Sequence, residues 1–97
     1  MIARVIQMQA PVQDFDGVLG TIRERVVPAV RQLPGFTSDT FAGDPKTGKL
    51  ISFVVFEGLE GVEAAEALFA RLRGNIEALG LQFTAVENLE VVIQSRA

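Results

Sequence analysis

Few side chains in this chain are equipped for chemistry. Arg4 lies in the β-branched run from Ile2 to Gln9, at a position that alternates with Ile2 and Ile6. A strand sends every second residue to the same face, so the guanidinium can point into an otherwise apolar layer. Its planar fork of donors could clamp a ligand carboxylate or phenolate there. It could equally pair with Glu87 or Glu90 of the last strand, or extend its stem along apolar surface to reach solvent. Gln7 and Asn88 are strand amides that can orient a carbonyl or phenol without a change of charge, although a surface or interface position would satisfy them as well. Arg4, Gln7 and Asn88 are the pocket candidates, and no residue is singled out as catalytic.

The 97 residues include no His, Cys, Tyr or Trp. That removes a Ser-His-acid hydrolase, a thiolate nucleophile, sulfur-ligated metals and histidine-ligated haem. Glu60, Glu63 and Glu66 recur every third residue. Their charge suits a helix N-terminus, whereas the spacing matches no calcium loop. Glu87 and Glu90 fall on opposite faces of a regular strand, so they form no dyad unless a bulge intervenes. The glycines spell neither a dinucleotide fingerprint nor a phosphate loop. No cofactor and no metal are expected.

A net charge of -3 with only Lys46 and Lys49 as lysines argues against a nucleic-acid groove or an anionic membrane surface. The opening residues lack the pattern of a signal peptide, and no apolar run is long enough to span a bilayer, so a cytoplasmic protein is expected. Residues 1–97 read as one domain, 48% apolar and able to bury one modest core.

The elements follow from spacing. Ile2–Gln9 reads as a strand that Pro11 ends. Asp14 or Asp16 can cap a helix carrying Phe15, Leu19, Ile22, Val26, Val30 and Leu33, with Pro28 predicting a kink or local interruption. Phe36 to Phe41 reads as a short polar strand, and Gly43–Gly48 as a turn. Leu50 to Phe56 is the most apolar strand. A second helix carries Val62, Ala65, Phe69, Leu72, Ile76 and Leu79, capped at Gly80. Its Gly74 marks either a close approach or plain surface. The last strand runs from near Phe83 to about Ile93. The order is βαββαβ, which predicts an α+β, ferredoxin-like fold: a four-stranded antiparallel sheet with both helices on one face and the first and third strands central.

In the third strand Leu50, Val54 and Phe56 alternate with Ile51, Phe53 and Val55, so neither face suits water. Two helices cover one face only. Exposing the other would forgo several kcal/mol at about 25 cal/mol per Å² of apolar surface. A homodimer with sheets packed face to face, exchanging the terminal strand, would resolve the conflict.

The element order, Leu33-Pro34-Gly35-Phe36, the hairpin Asp44–Lys49, the strand Leu50–Glu57 and the alanine-rich helix after it carry a family resemblance. Over nearly its whole length the chain resembles the antibiotic-biosynthesis-monooxygenase-like dimeric α/β-barrel proteins. The resemblance implies a dimeric α/β barrel with a pocket between sheet and helices. It also implies a place among cofactor-independent oxygenases of aromatic polyketide-like substrates, haem degraders, or small proteins without an assigned reaction. Gln7 falls in roughly the region where haem-degrading relatives carry a pocket amide. Because the Trp, Tyr and His of the characterised enzymes have no counterpart, the leading expectation is a protein that binds an apolar or aromatic small molecule without a conventional catalytic residue. The alternative is a cofactor-independent monooxygenase or related isomerase.

Overall fold

The alternation in Ile2–Gln9 becomes β1 in a computed structural model that describes residues 1–97. It is followed by α1 (Phe15–Thr21), α2 (Val27–Val30), β2 (Phe36–Asp44), β3 (Lys49–Phe56), α3 (Leu59–Ala78) and β4 (Gln82–Glu90). The four strands pair antiparallel in the order β2-β3-β1-β4, which puts the two most apolar strands at the centre. Both edge strands are more polar, as befits strands with one unpaired side.

The ferredoxin-like order is as expected, but the barrel is not. β2 and β4 each have a single neighbour, so the sheet is open and not closed on itself. Four strands are too few: closure around a packed interior takes about eight. Two boundaries also differ from the spacing argument. β2 continues through Ala42, Gly43 and Asp44, which pair with Ile51, Leu50 and Lys49. β4 stops at Glu90, leaving Val91–Ala97 without regular structure.

Pro28 interrupts its helix as anticipated, and the interruption takes the form of a π turn. Between α1 and α2, Ile22–Val26 adopts the wider helix, and the Val27 N–H donates to the Ile22 carbonyl, five residues back. Pro28 has no N–H to return to Glu24, and its ring would crowd that carbonyl in a regular α-turn. Widening the turn accommodates both facts while the chain stays one continuous, bulged helix.

The core lies between one face of the sheet and the helices. Ile6, Met8, Leu50, Val54 and Phe56 meet Val18, Ile22, Val30, Val62, Ala65 and Leu68, and Phe56 is fully buried. Ala3, Val5, Ile51, Phe53, Val55 and Leu89 share the opposite face by register. No helix covers that face, and Phe53 and Leu89 are 43% and 49% exposed.

Two glycines of α3 behave differently. A Cβ at Gly61 would run into the Pro34 carbonyl and the Phe56 ring, whereas one at Gly74 would meet nothing, which settles Gly74 as open surface. Gly61→Ala should therefore cost about 1–3 kcal/mol by overpacking, while Gly74→Ala should gain about 0.5–1 kcal/mol in helix propensity. Paired urea titrations would check the opposite signs, and equal shifts would contradict them.

Candidate functional site

The helix-side face of β1 is apolar except at Arg4. Its neighbours Ile6 and Met8 are buried in the core, and Arg4 itself is only 7% exposed. Strand register brings Arg4 opposite Asn88 on β4. Its Nη1 donates to Asn88 Oδ1 at 3.2 Å and to Glu66 Oε1 of α3 at 3.4 Å. The guanidinium carbon also lies 5.9 Å from the Phe69 ring centroid, within cation–π reach. Phe69 in turn meets Phe83 edge to face, with centroids 6.3 Å apart and the rings at 86°.

Arg4, Glu66, Phe69 and Phe83 line a pocket of about 260 Å³ between α3 and the β1–β4 pair, completed by Ile6, Ala70, Arg73 and Val86, with Asn88 outside its lining. The volume is a little under the roughly 300 Å³ at which small-molecule sites usually begin. It suits a compact aromatic ligand better than an extended one. A larger hollow of about 680 Å³ lies between the first helix and the end of α3, but its polar residues Thr21, Arg25 and Asn75 are not buried.

The electrostatics of Arg4 are poorly balanced. Burial lowers its pKa, and the nearby Glu66 carboxylate opposes that shift only in part. The guanidinium keeps its charge regardless, since arginine is not deprotonated in proteins. Glu66 is a weak counterion because its side chain is 54% exposed against 9% for Arg4. Arg4 Nε is buried and has no hydrogen-bond partner in the protein. A donor left unpaired away from water is costly, and it marks Arg4 as a residue whose burial the fold alone does not explain. The other buried orphan, Asp39 Oδ2, lies on edge strand β2, outside this pocket.

Of the three candidates drawn from the sequence, Arg4 and Asn88 come together. Gln7 does not join them: it pairs with Ile51 and Ala85 on the uncovered face. Arg4 pairs with neither Glu87 nor Glu90. Glu87 stands opposite Val5 on the far face, and Glu90 opposite Ile2 at the sheet's end. Glu66, Phe69, Arg73 and Phe83 were not picked out as pocket residues. Three of them share a signal, since Glu66, Phe69 and Arg73 recur at helical spacing on the side of α3 that crosses β1. No cluster of three or more His, Cys, Asp or Glu side chains is placed to hold a metal, Glu60, Glu63 and Glu66 included. No helix is long and apolar enough to cross a membrane.

No protein-family model and no curated protein matches the sequence. Solved structures do match the fold. A Deinococcus radiodurans protein, a candidate antibiotic biosynthesis monooxygenase, superposes with a TM-score of 0.80 at 12% identity over 100% of this chain and 98% of its own. A dimeric ferredoxin-like protein from an uncultured marine organism gives 0.74 at 8% identity, covering 100% of both chains. A point mutant of SnoaB, a cofactor-independent oxygenase from Streptomyces nogalater, gives 0.71 at 15% identity over 96% of this chain and 94% of its own. The shared fold is ferredoxin-like. At these identities the likeness concerns the fold alone.

Proposed function

We propose that this protein is a cofactor-independent oxygenase acting on an electron-rich phenolic or fused-ring aromatic molecule of polyketide type. One observation carries the reading: the buried, charged guanidinium of Arg4, its Nε unpaired within the chain, lines a pocket walled by Phe69 and Phe83. The fold it shares with SnoaB, a cofactor-independent oxygenase, supports the same reading.

The chemistry needs little from the protein. A phenol ionises, and Arg4 holds the oxyanion with a charge-assisted bond in a water-poor setting, while the two phenylalanines fix the ring. Glu66 is the one carboxylate lining the pocket and serves as proton acceptor. The ring carbon opposite the hydroxyl loses its hydrogen and gains one atom of dioxygen, giving a quinone. The other oxygen atom leaves as water with that hydrogen and the hydroxyl proton. The substrate supplies all four electrons, so the balance closes without a reductant.

Aerobic incubation with a panel of naphthols and anthrone-type phenols tests the reading. Oxygen uptake well above the buffer rate for at least one of them is expected. Saturable binding with no uptake for any would instead favour a binding protein, the reading suggested by the absence of His, Cys, Tyr and Trp.

The pH dependence should belong to the substrate. With no His, Cys or Tyr in the chain, no side chain ordinarily titrates between about pH 5 and 8. Arg4 stays charged throughout. The rate should rise with pH as the phenol ionises, and its midpoint should move down when an electron-withdrawing substituent lowers the phenol's own pKa. A midpoint unchanged across such substrates would contradict the scheme.

The active species is proposed to be a homodimer, joined through the uncovered face of the sheet. Val5, Ile51, Phe53 and Leu89 form an apolar surface there. Val92 and Ile93, 82% and 88% exposed, extend beyond β4 where they could pair with a second copy.

A further inference from the structure

We propose that a small apolar void behind Phe69 and Phe83 holds dioxygen and passes it to the aromatic ring bound in the Arg4 pocket. The proposal rests on the oxygenase reading above and adds where the second substrate waits and from which side it arrives.

The void measures about 20 Å³ and lies between the sheet and both helices. One water-sized molecule needs about 10–15 Å³, so the space admits a small gas molecule but no substrate ring. Its lining is apolar except for Ser52, which is 2% exposed. A buried water needs about two to four polar partners, and one hydroxyl does not supply them. Dioxygen is apolar and gains by leaving water for such surroundings.

Position carries the argument further. Phe69 and Phe83 line both the void and the Arg4 pocket, so the aromatic pair is the partition between them. On the far side Val26, Ile76 and Leu79 border both the void and the 680 Å³ hollow, where Arg25, Asn75 and Ala78 are exposed. The three spaces thus follow one another from solvent to pocket. A ring filling the 260 Å³ pocket would block that pocket's own mouth, and the rear route stays open.

The void also has a structural cause. Ile22 and Val26, its lining residues from the first helix, are the first and last of the π turn that Pro28 brings about. The wider turn spaces its side chains differently from an α-helix, so a gap against the sheet and α3 at this place follows from the same proline that interrupts the helix.

The test uses dioxygen itself, whose paramagnetism speeds the relaxation of nearby methyl protons. In the whole chain under dissolved oxygen, the methyls of Val26 and Leu81 should relax several-fold faster than those of Val18 and Leu50, which are as deeply buried elsewhere in the core. Val26→Ile and Leu79→Phe, which fill the void or its rear opening, should each abolish that enhancement. They should also raise the KM for dioxygen about fivefold, the factor that about 1 kcal/mol of apolar burial corresponds to, with phenol affinity unchanged. The two variants act independently, and the relaxation measurement on the parent chain needs neither. If Val26 and Leu81 relax no faster than Val18 and Leu50, the void holds no gas and the proposal fails while the oxygenase reading stands. If the enhancement is present but neither folded variant changes the KM for dioxygen, delivery from the void is wrong. If no phenol supports oxygen uptake at all, the oxygenase reading falls and takes the delivery role with it.

Discussion

Arg4→Met should lower oxygen uptake by about a hundredfold or more, the usual loss when a donor to a developing oxyanion is removed. It should leave the melting temperature equal to or above that of the parent chain. The two halves of this expectation come from the same geometry. Arg4 is 7% exposed, its Nε has no partner, and burial lowers its pKa against the partial help of Glu66. The folded state thus bears a desolvation cost, because the guanidinium is buried in its charged form. Methionine fills a similar volume and removes that cost. Its former partners are not stranded, because Glu66 and Asn88 both reach solvent. Replacing a buried charge by an apolar side chain is commonly neutral or stabilising under such conditions. Arg4→Lys should retain the fold but little activity, because an ammonium cannot present the same fork. If Arg4 served only to tie β1 to β4 and α3, the outcome would invert: Arg4→Met would melt earlier, and turnover per folded molecule would not change.

Phe53→Lys should separate the proposed dimer into subunits of 10.5 kDa without unfolding them. Phe53 lies at the middle of central strand β3 on the uncovered face, flanked by Val5 of β1 and Thr40 of β2. In one chain it is 43% exposed, so a lysine there can project into water and the single-chain core loses nothing. In a symmetric face-to-face pair the same lysine would be desolvated close to its counterpart. Burying an unpaired charge or setting like charges together costs several kcal/mol, enough to weaken association by about a hundredfold or more. Sedimentation velocity at micromolar concentration distinguishes the species. A wild-type chain sedimenting at the single-chain mass would contradict the dimer outright. Because the pocket is on the helix side of the sheet, the separated variant also shows whether substrate binding depends on the partner.

Much of the fold was legible because local signals agreed. The period-two alternation in Ile2–Gln9 and Leu50–Phe56, the helical spacing around Phe15–Leu33 and Val62–Leu79, and the polar stretch at Thr37–Thr40 all pointed to the observed topology. Pro28 located the irregular turn, although nothing local to it specified a π turn over a kink. Sheet closure was not legible in this way. It came from resemblance, and the four strands remain open.

The site was less legible, for two physical reasons. The partners of Arg4 are far apart in sequence, with Glu66 and Asn88 brought in by helix packing and strand register. The register of β4 is further disguised by the irregularity opposite Gln7 and Met8: Thr84 drops out of the pairing, so Phe83 and Val86 share a face despite their odd separation. By contrast, the placement of Gln7 followed from the strand period alone. Gln7 and Arg4 are three residues apart in a regular strand and must face opposite ways. The pocket residues of α3 were hidden because Phe69 reads as core and Glu66 as a residue suited to the helix N-terminus, and both readings are locally sufficient.

The most direct test supplies heavy-isotope dioxygen to the purified chain with whichever phenol of the panel supports uptake, and weighs the product. The account predicts a quinone containing one heavy oxygen atom, formed at least about a hundredfold faster with the parent chain than with Arg4→Met. A product without the label, or formation no faster than in buffer for every phenol offered, would contradict it.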